Sequence, residues 1–171
     1  MLRHHHANPA RPPLEIVFRA WIGAVIGLGT VAWLSYVLLP GAGYFLVLGS
    51  FGATAVLLFG ISASPFAQPR NLFVGHLLSG LIGVACFQLL DGQMLFAAPL
   101  AVATSVAAMQ LTRSLHPPGG ATALIAVLGP AEVHELGFGF LLPVLLGVGI
   151  LFVAAVLSMN LFAKERRYPV V

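Results

Sequence analysis

Gly49-Ser50-Phe51-Gly52-Ala53-Thr54-Ala55 and His116-Pro117-Pro118-Gly119-Gly120-Ala121-Thr122-Ala123 decide how this chain is read. Both contain Gly-Ala-Thr-Ala, and the two copies stand 68 residues apart (120 − 52). Each opens a short apolar run that ends in a glycine, Gly60 or Gly129, and each follows residues that disfavour helix. Two interrupted apolar segments at matching places in two halves of a membrane protein point to a substrate site between the halves.

Composition places the chain in a membrane. Charged residues make up 8% and hydrophobic residues 59%, whereas soluble domains carry roughly 25% charge. The 171 residues leave room for one small bundle. The net charge of +3 sits at the ends and in loops, so it orients the chain and does not indicate nucleic-acid binding. Cys86 lies in an apolar run and reads as a small buried hydrophobe. No cleavable signal peptide is expected, because the first apolar run is too long for a signal core. Residues 1–13, with His4-His5-His6 and three prolines, read as a flexible arm with no metal site expected. Residues 168–171 read as a tail.

Six apolar segments can be drawn between them: Val17–Leu39, Tyr44–Ser62, Leu72–Leu90, Met94–Thr112, Gly119–Gly129 and Leu136–Ala163. The expected fold is an all-α membrane domain over residues 14–167. It is built as an inverted three-plus-three repeat, about 17–91 and 92–163, with two broken or half-spanning helices. Six crossings put Arg70, Arg113 and the Lys164–Arg167 cluster with the N-terminal arm on the cytoplasmic side, as the positive-inside rule prefers. Asp91, Glu132 and Glu135 fall on the other side. The alternative has four transmembrane helices and two re-entrant hairpins, and moves Arg70 outside and Asp91 inside.

In the inverted arrangement the two Gly-Ala-Thr-Ala helices point their N-termini at each other. Helix N-termini carry partial positive charge and unpaired N–H groups, which suits a small anion. The candidate substrate-binding residues are Ser50, as a helix cap, with Gly52, Thr54, His116, Gly119, Gly120 and Thr122. His76 and His116 are candidates for proton coupling or gating, since ionisable groups inside membranes are functional suspects. No carboxylate lies in an apolar core. No nucleophile has an evident base, and no metal-ligand spacing or phosphate loop is present, so neither an enzyme nor a cofactor is expected. Gly23/Gly27 and Gly75/Ser79/Gly83 are small-residue stripes that predict helix packing and a homo-oligomer, most simply a dimer.

The stretch His116–Leu124 resembles the HPP family of integral membrane proteins, named for its His-Pro-Pro. So do Gly49–Ala55, Gln68-Pro69-Arg70-Asn71, Gly75–Ser79 and Arg167-Tyr168-Pro169. The resemblance runs from about residue 16 to the C-terminus. It implies a domain usually described with four transmembrane segments. For plant and cyanobacterial members it implies nitrite transport, hence here a bacterial inner-membrane transporter or channel for nitrite or a similar monovalent anion. Some relatives carry a C-terminal regulatory CBS pair, which is not expected within these residues. Pro-Pro-Ala-Gly is common in the family, whereas this chain has Pro-Pro-Gly-Gly. A membrane structural or sensory protein without transport activity is the competing reading.

Overall fold

The computed structural model describes residues 11–38, 43–161 and 168–170. Most of the N-terminal arm with its histidines, residues 39–42 and the Lys164–Arg167 cluster lie outside the described residues. The described residues are helical and contain no strand. The helices are α1 (Leu14–Leu38), α2 (Gly43–Ala55, continued by a π-helical turn Val56–Gly60), α3 (Pro69–Leu89), α4 (Met94–Leu111), α5 (Pro118–Leu128), the short α6 (Ala131–Leu136) and α7 (Leu141–Asn160). Four helical stretches among them are long and apolar enough to cross a membrane: Leu14–Val37, Pro69–Leu89, Met94–Leu111 and Ala131–Asn160. Two shorter apolar helices, Gly49–Gly60 and Pro118–Leu128, complete the set.

Local chemistry sets the helix ends. Pro69 occupies the first turn of α3, where its missing N–H costs nothing. At the other end of α3, Asp91 and Gly92 have φ of 49° and 70°, and the Gly92 N–H reaches back to the Phe87 carbonyl (3.1 Å). Helix α4 closes the same way. Arg113 has φ of 54°, and the Ser114 N–H bonds the Met109 carbonyl (2.8 Å). Both are left-handed C-terminal caps that occupy otherwise unpaired carbonyls.

Contacts between helices fix their directions. Gly23 of α1 packs on Ser158, and Gly27 packs on Leu151 and Ala154, so α1 and α7 run antiparallel with the start of one beside the end of the other. In α2, Phe51 lies on Gly147 midway along α7, and Phe59 reaches Gly23 near the start of α1. Arg70 Nη2 donates to the Thr112 carbonyl and Asn71 Nδ2 to the Leu115 carbonyl, both at 2.8 Å, which joins the start of α3 to the end of α4. Along α5, Gly119 meets Gly75, Thr122 meets His76, and Ala126 meets Gly83, so α5 runs parallel to α3. Directions therefore alternate through α1, α2, α3, α4, α5 and α7.

This alternation groups the start of α1, Arg70, Arg113 and Tyr168 at one end, while Asp91, α6, Glu132 and Glu135 lie at the other. The re-entrant alternative separates the Arg70 loop from the C-terminus. Here Tyr168 donates its hydroxyl proton to the Ala67 carbonyl (2.7 Å), and the Val170 N–H donates to Gln68 Oε1 (2.9 Å). That geometry fits the six-passage arrangement.

The duplication is visible in the packing. Helix α1 packs on α7 as α4 packs on α3, and α1 packs on α2 as α4 packs on α5. The Phe51–Gly147 contact has its counterpart, shifted by 68, in Gly119 against Ser79.

Two expectations need correction. First, α2 is not broken at Gly49–Gly52. The helix runs through it, and the irregularity comes later, as the π turn at Val56–Gly60. Second, the small-residue stripes are used inside the chain. Gly23 and Gly27 receive α7, Gly75 lies against His116, and Gly83 lies against Ala123 and Ala126. They are therefore not open to a second copy. Residues 168–170, at the C-terminal end, are docked on the bundle. Tyr168 is buried, Asn160 clamps its backbone N–H and carbonyl (2.7 and 2.6 Å), and burial pushes the phenol above its usual pKa.

Candidate functional site

The break before α5 is present where the sequence places it. Ser114-Leu115-His116 is non-helical, and Ser114 and His116 are fully buried. Irregular backbone inside such a bundle is tolerated only against protein partners or a watery cavity. Here it is held by protein. Asn71 takes the Leu115 carbonyl, the Thr112 and Ser114 hydroxyls bond each other at 2.7 Å, and Gly75 leaves room for the His116 Cβ. A Cβ on Gly75 would come within 2.5 Å of that atom, so the close approach requires glycine.

His116 thereby turns inward toward Thr54, His76 and Thr122, and all four residues have zero exposure. His76 stands between the two repeated threonines. Its Nε2 is 2.9 Å from Thr54 Oγ1 and its Nδ1 is 2.7 Å from Thr122 Oγ1. His116 Nε2 is 3.3 Å from the same Thr54 oxygen, and its Nδ1 is 2.8 Å from the Phe66 carbonyl. The two imidazole centroids are 4.8 Å apart, and the Phe51 ring meets His76 edge-on at 5.8 Å.

Hydrogen-bond partners assign the protons. A carbonyl only accepts, so His116 carries its proton on Nδ1, and when neutral it presents a lone pair on Nε2 to Thr54. A neutral His76 donates through one nitrogen and accepts through the other. One threonine therefore gives its proton to His76 while the other receives one. Thr122 donating to Nδ1, Nε2–H donating to Thr54, and Thr54 donating to His116 Nε2 gives a continuous chain that ends at the Phe66 carbonyl. Thr54 can instead donate to its own helix at the Ser50 carbonyl (3.1 Å). The cluster has alternative arrangements of equal proton count.

Its surroundings carry no formal charge. No Lys, Arg, Asp or Glu occurs on α2, α4, α5 or α7, and the only one on α3 is Arg70 at its first turn. The apolar grooves between α1 and α7 are lined by residues such as Val31, Leu34, Leu142 and Leu146. They suit hydrocarbon rather than an anion.

The structure thus gathers Thr54, His76, His116 and Thr122 at one point. Ser50 contributes its backbone carbonyl and is not a helix cap, because α2 continues through it. Gly119 packs against Ser79 and Gly75. Gly52 has open space about it, and a Cβ on Gly120 would meet only Val102 at 3.8 Å, so neither glycine is required by a close approach. The facing N-termini do not present free amides. The Gly52–Thr54 amides lie inside a continuous helix. At α5, Pro117 and Pro118 have no N–H, and the Gly119 and Gly120 N–H groups bond the His116 and Pro117 carbonyls (2.8 and 3.0 Å). What the sequence reading missed was the Phe66 carbonyl, Asn71 and Phe51. Backbone acceptors leave no sequence signal, but Asn71, two residues after the helix-starting proline, is polar at the edge of an apolar run.

Residues 9–169 match the family model described as HPP, transmembrane region. The chain belongs to the HPP family. Two transmembrane proteins of Dictyostelium discoideum are similar to this HPP-family chain. One is 42% identical over 166 residues, covering 95% of this chain and 58% of that protein. The other is 39% identical over 166 residues, covering 95% and 53%. The chain thus spans little more than half the length of these relatives. No solved structure matches. The HPP domain described above is a membrane protein with several apolar helices.

Proposed function

We propose that this protein is a transporter or channel for a small monovalent anion, with nitrite the leading substrate, and that it performs no catalytic step. The observation that carries the reading is the Thr54–His76–His116–Thr122 cluster. In a bundle whose central helices carry no charge beyond Arg70 at the first turn of α3, both repeated motifs deliver a hydroxyl to one histidine. Hydroxyl and imidazole N–H groups would take over the donor role first assigned to helix N-termini. Proposed with it are a bacterial inner membrane and an orientation with the Arg70 and Arg113 end in the cytoplasm, following the positive-inside rule. A homo-oligomer is also proposed, and it must use an outward face, since the glycine stripes are occupied.

A second reading has a specific observation behind it. Every cluster member is fully buried and hydrogen-bonded within the protein, as a polar pin that fixes helix register would be. Nitrite flux into liposomes containing the pure protein separates the two readings. Flux well above that of protein-free liposomes, lost on Thr54→Val, favours transport. No flux from folded protein favours the structural role.

A further inference from the structure

An anion inside this bundle has a charge that the protein must balance. Moving a carboxylate-sized ion out of water is strongly unfavourable even after relaxation. The elements packed around His76 and His116 offer little to offset it. Helices α2, α4, α5 and α7 carry no Lys, Arg, Asp or Glu. Arg70, on α3, is tied to the Thr112 carbonyl at the helix start, and Arg113 lies beyond the end of α4. Glu15 and Arg19 pair with each other at the start of α1. Cys86 sits in a separate apolar cluster with Ala97 and Ala101. The Tyr168 O–H donates a hydrogen bond to the Ala67 carbonyl, and His134 stacks on Phe87 at the opposite end. The backbone amides at the start of α5 are spent, as described above.

What remains is a proton taken up by the histidine pair. A proton from water binds the acceptor lone pair of His116 Nε2 or of His76, and for His116 the Thr54 hydroxyl then turns to the Ser50 carbonyl. On His116 the resulting imidazolium keeps its Nδ1–H on the Phe66 carbonyl and gains an Nε2–H directed toward Thr54 Oγ1, so the one new donor has an acceptor already in place. With centroids 4.8 Å apart, two imidazolium ions would repel strongly. The pair holds one proton at a time, and one proton neutralises one monovalent anion.

Resting on the transport reading above, we infer that the cluster carries one proton with each anion. The protein then moves a monovalent anion together with H⁺ in an electroneutral cotransport from one side to the other, and it excludes divalent anions such as sulfate. The anion and the proton enter from one side and leave on the other, and no bond other than the N–H is made or broken.

The test uses the full chain in liposomes with nitrite as probe, valinomycin and potassium to set the voltage, and an enclosed pH dye. The expected result is nitrite entry above protein-free liposomes, one proton per nitrite, no change on imposing 100 mV, and about tenfold accumulation per unit of pH gradient. Uncoupled anion movement would instead distribute nitrite about fiftyfold at 100 mV. Voltage-driven accumulation without protons overturns the coupling and leaves the transport reading standing. Absence of any protein-dependent flux overturns both. A His76→Gln/His116→Gln double variant of wild-type helicity is expected to lose proton-driven accumulation. Retention of tenfold accumulation per pH unit would overturn the assignment to these imidazoles. The wild-type voltage measurement decides the coupling even where that variant fails to fold.

Discussion

Thr54→Val and Thr122→Val are nearly isosteric changes at symmetry-related positions, yet the structure makes them unequal. Thr122 Oγ1 has one side-chain partner, His76 Nδ1 at 2.7 Å, and its helix carbonyl, Pro118, is at 3.5 Å. Thr54 Oγ1 meets both His76 Nε2 and His116 Nε2. Removing the Thr122 hydroxyl leaves one imidazole nitrogen without a partner, and removing the Thr54 hydroxyl leaves two. Side-chain hydrogen bonds within membrane bundles average about 0.6 kcal/mol with a maximum near 1.7. Thr122→Val should therefore cost about 0.6–1.7 kcal/mol and Thr54→Val roughly twice that. Thr30→Val is the control, because its exposed hydroxyl bonds only its own helix at the Ile26 carbonyl, and its cost should be near zero. Reversible unfolding in mixed micelles, followed by far-UV circular dichroism, measures all three. A Thr122→Val cost equal to or above that of Thr54→Val would refute the shared-hydroxyl geometry. So would a Thr54→Val cost no larger than the control.

Cysteine labelling from each side of the membrane in a Cys86→Ser background should place positions 70 and 113 on one face and positions 91 and 135 on the other; labelling of positions 70 and 91 from the same face would remove the six-passage arrangement. Tyr168→Phe deletes a buried hydroxyl bonded to the Ala67 carbonyl, so it should cost about 1 kcal/mol and speed proteolysis of the tail; unchanged protease resistance would count against a docked tail. Gly120→Ala should be neutral or stabilising by up to about 1 kcal/mol, because its Cβ meets only Val102 at 3.8 Å and alanine favours helix. Gly119→Ala should destabilise by about 1–3 kcal/mol through crowding, since its Cβ would come within 2.6 Å of Ser79 Oγ and 3.0 Å of the Gly75 carbonyl; the melting order of the two variants checks this.

Much of the architecture was legible because it rests on features that sequence records directly. Apolar length gave the long helices, charge segregation gave the alternation, and His116-Pro117-Pro118 gave the break before α5, where two missing N–H groups leave the chain no helical continuation. The error at Gly49–Gly52 has a physical origin. Glycine and serine lower helix propensity by less than about 1 kcal/mol each. Inside an apolar bundle the cost of unpaired backbone groups exceeds that, so the helix continues. The proposed amide site failed for the same reason, because buried N–H groups find carbonyls before they can wait for a ligand. Which residues meet was less legible than which residues matter. His76 was picked out as an ionisable group in an apolar run, but nothing in the spacing says that its two ring nitrogens reach the two copies of one motif. That follows only once α2 and α5 flank α3.

The duplicated frame carries an unduplicated chemistry. Shifted by 68, Thr54 becomes Thr122, and both threonines reach the cluster. Shifted likewise, His76 becomes Val144, and His116 shifted back becomes Leu48. Val144 is buried in the apolar core, so the position equivalent to His76 is filled but not polar. A packing role for the Gly-Ala-Thr-Ala repeat would apply equally to both halves, and it accounts for Gly119 against Ser79 and for Phe51 against Gly147. It does not account for His76 in the first half and His116 in the second, each with an apolar counterpart in the other half and each placed at the cost of burying a polar ring. The asymmetry makes a specific demand on Val144. If the two unduplicated histidines serve proton movement, Val144→His adds a third imidazole to the buried core and should destabilise by several kcal/mol, as overpacking and an unpartnered polar group together predict. It should do so without restoring proton-driven accumulation to the His76→Gln/His116→Gln variant, because that variant lacks both the His76 ring that joins Thr54 to Thr122 and the His116 Nδ1–H that the Phe66 carbonyl accepts. Recovery of that accumulation would show that any buried imidazole suffices, and the partner geometry around His76 and His116 would lose its explanatory role.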